Sequence, residues 1–286
     1  MNRRKSIEAL VASGLGLGVL DQLDGCSELP NAIESTINHS VCKWCYSDIP
    51  LEQFAEHCKD LQIGSIELLN PDEWDTVLNK GLTCAISNGS PLGITKGFND
   101  PKLHSQLKQD YMPIIARAAD KGIKQIICFS GNRNGLADDI GLDNCARGLE
   151  SIVKEAERQG ITIVMELLNS KIDHNDYMCD HTTWGVQLVE KLASPNFKLL
   201  YDIYHMQIME GDVIRTISDH KNYISHFHTG GVPGRNEIDD TQELNYKAIV
   251  NAIQETGFTG FIAQEFIPTR TDVLSSLKQG VEICTV

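Results

Sequence analysis

The chain has 286 residues and a formal net charge of −14, with 41% hydrophobic and 22% charged residues. That apolar content supports a large core, and the charged fraction argues against disorder. So acidic a chain gains nothing from a phosphate backbone, which disfavours a nucleic-acid partner; the length suits one α/β barrel of about 250 residues.

The N-terminal stretch differs from the rest. Arg3, Arg4 and Lys5 precede a run rich in Ala, Gly, Leu and Val up to Leu20, and Cys26 follows. This is the pattern of a twin-arginine-like export leader with a lipoprotein-like cysteine. Glu8 interrupts the run and no A-x-A cleavage site is visible, so a periplasmic and a cytoplasmic location both stand. Residues 1–36 are set apart as a leader and 37–286 as a single domain. No apolar run reaches the roughly 20 residues of a membrane-spanning helix.

From residue 37 onward, apolar runs alternate with amphipathic segments. Eight runs read as strands: 39–45, 65–69, 82–87, 124–129, 161–167, 197–203, 223–229 and 260–266. Near-continuous Ile, Val and Leu mark strands buried on both faces, as in parallel sheets. Segments 51–61, 102–121, 144–159, 183–192, 212–219, 245–256 and 272–281 carry apolar residues at helical spacing, with a short, weak helix near Trp74. Gly122, Gly160 and Gly257 stand where helices stop. Eight strand–helix units predict a closed (β/α)8 barrel. A doubly wound sheet would call for a Gly-rich fingerprint after the first strand, and Cys45-Tyr46-Ser47-Asp48 is not one.

Nine cysteines, an odd count, leave at least one thiol unpaired. Cys84 and Cys128 lie in apolar runs and behave as small hydrophobes. Cys42 and Cys45 form a CxxC, but within a predicted strand, which argues against a redox pair. No second CxxC completes a four-cysteine zinc site.

Barrel chemistry gathers at the C-terminal ends of the strands. There stand Glu166, Asp202, His228 and Glu265, one on each of four successive strands and about one βα unit of roughly 30 residues apart. Crowded carboxylates repel one another unless a cation sits between them. Three carboxylates and one imidazole make an oxygen-rich donor set, suited to one Mn2+ or Mg2+, with Co2+ or Zn2+ also able to bind. Taken singly, either glutamate could be a structural ion-pair partner and Asp202 could cap the next helix. His226 shares a face with His228 and reads as a satisfied core histidine. His205 follows Asp202 closely, and Arg235 sits in a mouth loop where it could grip a carboxylate. Lys171 and His174, in the loop after the fifth strand, are further substrate-binding candidates. The run 129–135 (FSGNRNG) could bring backbone close to a ligand or be only a turn.

These stretches resemble the hydroxypyruvate isomerase family, within the wider xylose-isomerase-like barrels. The resemblance is carried by VCKWCY at 41–46, FSGNRNG at 129–135, ELLNSKIDHNDYMCDH at 166–181, YDIYHMQIMEGD at 201–212, VPGRNEID at 232–239 with ELNY at 243–246, and QEF at 264–266. It implies metal ligands at Glu166, Asp202, His228 and Glu265, an acid/base pair in Glu166 and Glu265, and substrate contacts at His205 and Arg235. It also implies an aldose–ketose isomerisation through an enediolate, with hydroxypyruvate as the expected substrate. Hydroxypyruvate isomerases often carry glutamine where His228 stands, and histidine there is closer to ketose 3-epimerases, the main alternative. An abasic-site endonuclease of the same superfamily would need a His-rich multi-metal cluster and a basic face. A non-catalytic sugar binder need not keep two bases. A homo-oligomer suits such barrels, but no residue pattern defines an interface.

Overall fold

In the computed structural model, which describes residues 37–286, the eight apolar runs become eight parallel strands. The leader read from Arg3, Arg4, Lys5 and Cys26 lies outside the described residues. The strands are β1 (Asn38–Cys42), β2 (Ser65–Glu67), β3 (Ile86–Ser87), β4 (Gln125–Cys128), β5 (Thr162–Glu166), β6 (Phe197–Asp202), β7 (Ile224–Thr229) and β8 (Phe261–Gln264). Their order around the sheet is β2-β1-β8-β7-β6-β5-β4-β3. Parallel bridges Ser65↔Thr83 and Leu69↔Ser87 join the two ends, so the sheet closes.

The helices are α1 (Leu51–Asp60), α2 (Trp74–Leu78), α3 (His104–Lys121), α4 (Asp138–Gln159), α5 (Thr182–Leu192), α6 (Ile203–Met209), α7 (Val213–His220), α8 (Tyr246–Glu255) and α9 (Val273–Cys284). Gly122 and Gly160 cap α3 and α4 in the left-handed conformation, which costs glycine no Cβ clash. No helix among the described residues is long and apolar enough to cross a membrane.

Four elements differ from the sequence expectation, each for a local reason. The 39–45 run is strand only to Cys42; Lys43–Tyr46 is a 3-10 turn, with Lys43 Nζ donating to the Tyr46 carbonyl at 3.0 Å. Cys42 therefore sits on a strand and Cys45 on a turn, both as free thiols. Strand β3 is short because the Ser65 hydroxyl, not a strand carbonyl, accepts from Ala85 N at 2.8 Å. Helix α4 begins at Asp138, ahead of the expected start at 144, because Gly141 interrupts the apolar spacing that the expectation relies on. Gly141 and Gly148 leave no room for a Cβ against Met178 and His104. Helix α6 stands where the sequence predicts the end of the sixth strand and a loop; Asp202 Oδ1 starts it by accepting from His205 N at 2.9 Å.

The barrel interior has two unlike halves. Ile86, Ile127, Val164 and Leu200, from β3 to β6, form one buried apolar cluster. On the other side, β1, β2 and β7 place Ser40, Glu67, His226 and His228 inside, all fully buried. Strand side chains alternate between faces, so both halves follow from the same pleat with different residues on the inward positions.

Candidate active site

Glu166, Asp202, His228 and Glu265 leave the C-terminal ends of β5, β6, β7 and β8 and converge. Each offers one ligand atom, and these atoms all lie within 4.8 Å of one another; all four residues are buried. His228 Nδ1 is 2.7 Å from Glu265 Oε2, 3.2 Å from Glu166 Oε1 and 4.0 Å from Asp202 Oδ2. Asp202 does two jobs: Oδ1 caps α6 while Oδ2 faces the cluster. The capping and the clustered readings of this residue are therefore not exclusive.

Arg235 reaches in from the loop after β7. Its Nη2 is 2.5 Å from Glu265 Oε2 and 3.2 Å from Asp202 Oδ2, and its Nε has no partner. The guanidinium lies 5.2 Å from the Trp44 ring centroid and 5.5 Å from that of Tyr204, within cation–π range. Arg235 has φ +58°, uncommon for a residue with a Cβ. Its carbonyl accepts from Ile267 N at 2.6 Å, which holds it there. Next to it, Glu237 accepts from Thr269 N at 2.9 Å and from Ser276 Oγ at 2.8 Å, tying this loop to the segment after β8.

The charges do not balance within the protein. Burial raises Asp202 to about 8, and Glu265 and Glu166 add to that against the pull of Arg235. Burial likewise raises Glu166. Glu265 goes the other way: Arg235 and His228 overcome its burial and hold it well below the usual carboxylate range. In the cation-free protein Arg235 and His228, whose imidazole burial lowers but Glu265 raises well above its usual value, offset this crowding; with His228 neutral as a ligand and all three carboxylates ionised, two negative charges would remain. One divalent cation carries the matching charge, and the donor set of three carboxylates and an imidazole suits it. The residues present fit such an ion.

His205 is buried beside the cluster, with Nε2 3.7 Å from Asp202 Oδ2 and no hydrogen-bond partner. Asn169 sets its tautomer. The Asn169 Oδ1 accepts from Ile172 N and Asp173 N, so its Nδ2 faces His205 Nδ1 at 2.6 Å and donates to it. The proton of neutral His205 is therefore on Nε2. Burial and the nearby Arg235 charge lower this imidazole well below its usual value, keeping it neutral.

A cavity of about 330 Å³ opens onto the cluster; its polar lining is Glu166, Glu265, Arg235, His174 and Asn88, with Trp44, and its apolar lining is Leu68, Ile94, Ile127, Phe129 and Leu168. His174 packs edge-on against His205, ring centroids 5.2 Å apart. Lys171 does not line this cavity. Its Nζ donates to the carbonyls of Ile208 and Met209, both at 2.9 Å, closing the C-terminal end of α6. In the 129–135 loop, Gly131 packs against Gly97 and Asn99, and Arg133 pairs with Asp138 and Asp180. Gly131 thus serves chain packing, whereas Gly135, at φ +80° in open space, serves a turn.

Two features escaped the sequence reading. Glu67, at the end of β2, lies under the cluster, with Oε1 2.9 Å from Nε2 of both His226 and His228. It could have been found by the rule that found the others, a carboxylate at a strand's C-terminal end. His226 is only half satisfied, because its Nδ1 is buried without a partner. Cys42, Glu67 and His228 are also close enough to suggest a cation site, but all three are sealed from solvent and already bonded to one another.

Comparison with known proteins fits this geometry. A putative hydroxypyruvate isomerase of Drosophila melanogaster is 34% identical over 110 residues, 38% of this chain and 41% of that protein. The chain thus spans about two fifths of the length of that relative. A 2-oxo-tetronate isomerase of Cupriavidus necator is 33% identical over 196 residues, 66% of this chain and 74% of that protein. Among solved structures, an AP endonuclease of family 2 from Brucella melitensis superposes with a TM-score of 0.76 at 23% identity, over 84% of this chain and 96% of that one. A D-psicose 3-epimerase with D-tagatose from Clostridium cellulolyticum superposes with a TM-score of 0.68 at 17% identity, over 87% of this chain and all of that one. At those identities the two structures speak for the fold alone. The family described as "Xylose isomerase-like TIM barrel" matches residues 43–282, and over that extent the chain belongs to it.

Proposed function

We propose that the site is an isomerase centre that moves a proton between adjacent carbons of a small hydroxy-carbonyl acid, converting hydroxypyruvate to 2-hydroxy-3-oxopropanoate (tartronate semialdehyde). The observation that carries this is the convergence of Glu166, Asp202, His228 and Glu265 at one wall of a cavity. These four would hold one Mn2+ or Mg2+, with Co2+ or Zn2+ as substitutes, and the ion would polarise the carbonyl and offset enediolate charge.

The reaction takes a proton from C3 and delivers one to C2, while a hydroxyl proton passes from O3 to O2. Glu166 and Glu265 both line the cavity and are the groups able to accept and return these protons. His205 would donate its Nε2–H to a substrate oxygen. Arg235 would hold the substrate carboxylate through N–H groups not committed to Asp202 and Glu265.

The test is Glu265→Gln, with turnover of hydroxypyruvate, bound metal and deuterium incorporation from D2O followed together. Turnover should fall at least about 10²–10⁴-fold, the range of general acid–base catalysis, and bound metal should fall with it. Unchanged turnover overturns the assignment. A second reading has a specific observation behind it: the longer match to the 2-oxo-tetronate isomerase favours a four-carbon acid with the same carboxylate. A ketose 3-epimerase reading has His228 in its favour. Against it, the apolar side chains of Leu68, Ile94, Ile127, Phe129 and Leu168 leave sugar hydroxyls few partners besides Asn88 and His174. A screen of hydroxypyruvate, 2-oxo-tetronate and free ketoses separates the three.

A further inference from the structure

Glu67 stands outside the four-residue cluster, yet its carboxylate is fully buried and collects donors from two strands, β1 and β7. Oε2 accepts from Ser40 Oγ at 2.5 Å. Oε1 lies 2.9 Å from His226 Nε2 and 2.9 Å from His228 Nε2, and the Cys42 thiol donates to it at 3.9 Å.

His228 turns Nε2 to this carboxylate at 2.9 Å, and with a cation on its other nitrogen the ring keeps one proton, on Nε2, for Glu67 to accept. Its other nitrogen, Nδ1, is the one that faces Glu166, Asp202 and Glu265. An imidazole oriented by a carboxylate on its far side is how proteins commonly set a metal-binding histidine. We infer that Glu67 is a positioning residue: it holds the Nε2–H of His228 so that Nδ1 is the nitrogen presented to the cation, with Ser40 and His226 keeping Glu67 in place. The inference rests on the cation reading above for its consequence, though not for its geometry. Glu67 touches neither the cavity nor the four-residue cluster except through His228.

Two measurements test it. The first is 15N-edited NMR of histidine ring protons in cation-free protein. Wild type should show a protected His228 Nε2–H, and Glu67→Leu should lose it. The second is titration of metal-free protein with Mn2+ by calorimetry. Glu67→Leu should bind about 10–100-fold more weakly, the usual loss when such a partner is removed. Should Glu67→Leu fail to fold, Glu67→Gln carries the test. Its amide oxygen can still accept, so the ring proton should persist, while loss of the charge should weaken Mn2+ binding about tenfold. Mn2+ affinity within twofold of wild type in a folded variant overturns the inference, as does an intact Nε2–H signal in Glu67→Leu. If wild-type protein binds no Mn2+, the isomerase reading fails, and the NMR result alone decides the role of Glu67.

Discussion

The two halves of the barrel interior share a pleat and differ in everything else. On β3 to β6 the inward residues Ile86, Ile127, Val164 and Leu200 make a dry, close-packed plug. On β7, β1 and β2 the inward side chains Ser40, Glu67, His226 and His228 make a hydrogen-bonded frame. A plug contributes stability through area removed from water, whereas a buried polar frame costs desolvation and returns orientation. The contrast teaches that one side of this barrel is built for cohesion and the other for aim. The four clustered residues sit on the seam, with Glu166 and Asp202 above the apolar half and His228 and Glu265 above the polar one.

Substitutions can break that contrast in graded steps. The largest effect belongs to the mouth: Glu166→Gln should lower turnover by about 10²–10⁴-fold, read as loss of solvent deuterium in the product. Next comes the plug. Leu200→Ala should cost about 2–5 kcal/mol in urea unfolding and leave Mn2+ affinity unchanged, because the lost contacts are apolar. Equal losses of stability and affinity would mean the halves are not separable. Arg235→Met should raise KM about 10–100-fold through a lost charge-assisted hydrogen bond, with Mn2+ affinity no weaker, since a competing positive charge has gone.

The smallest effect lies outside both halves. Burial raises Asp180, but Arg133, Ser170 and His181 outweigh it and hold the carboxyl below its usual value of 3.8. A carboxylate lowered in this way contributes stability above its unfolded value and loses it as the pH falls through the folded value. Thermal melting of wild type should therefore decline towards acid more steeply than that of Asp180→Asn, and the two curves should approach as the pH falls through the lowered folded value. Parallel curves would remove the pair from the stability account.

Much of this was legible in the chain itself. Apolar runs of strand length, helical spacing between them and glycine stops at Gly122 and Gly160 are local signals, and they predict alternating units without any knowledge of contacts. The positions of Glu166, Asp202, His228 and Glu265 were readable for the same reason: each closes a run. Helix α6 was not, because its start depends on Asp202 folding back onto His205 N, and its residues also read as the tail of an apolar run. Lys171 looked free in a polar loop, and only folding shows its ammonium spent on the carbonyls of Ile208 and Met209.

Sequence alone thus determined the alternation of elements and which carboxylates end the strands, since both depend on neighbours a few residues away. Tertiary structure alone decided that β2 and β3 meet, that Arg235 folds onto Asp202 and Glu265, and that Glu67 reaches His228 from the far side of the chain. The physical reason is range. Periodicity is set along the backbone, whereas a hydrogen bond between residues 67 and 228 exists only once the barrel has closed and removed the water that would otherwise take its place.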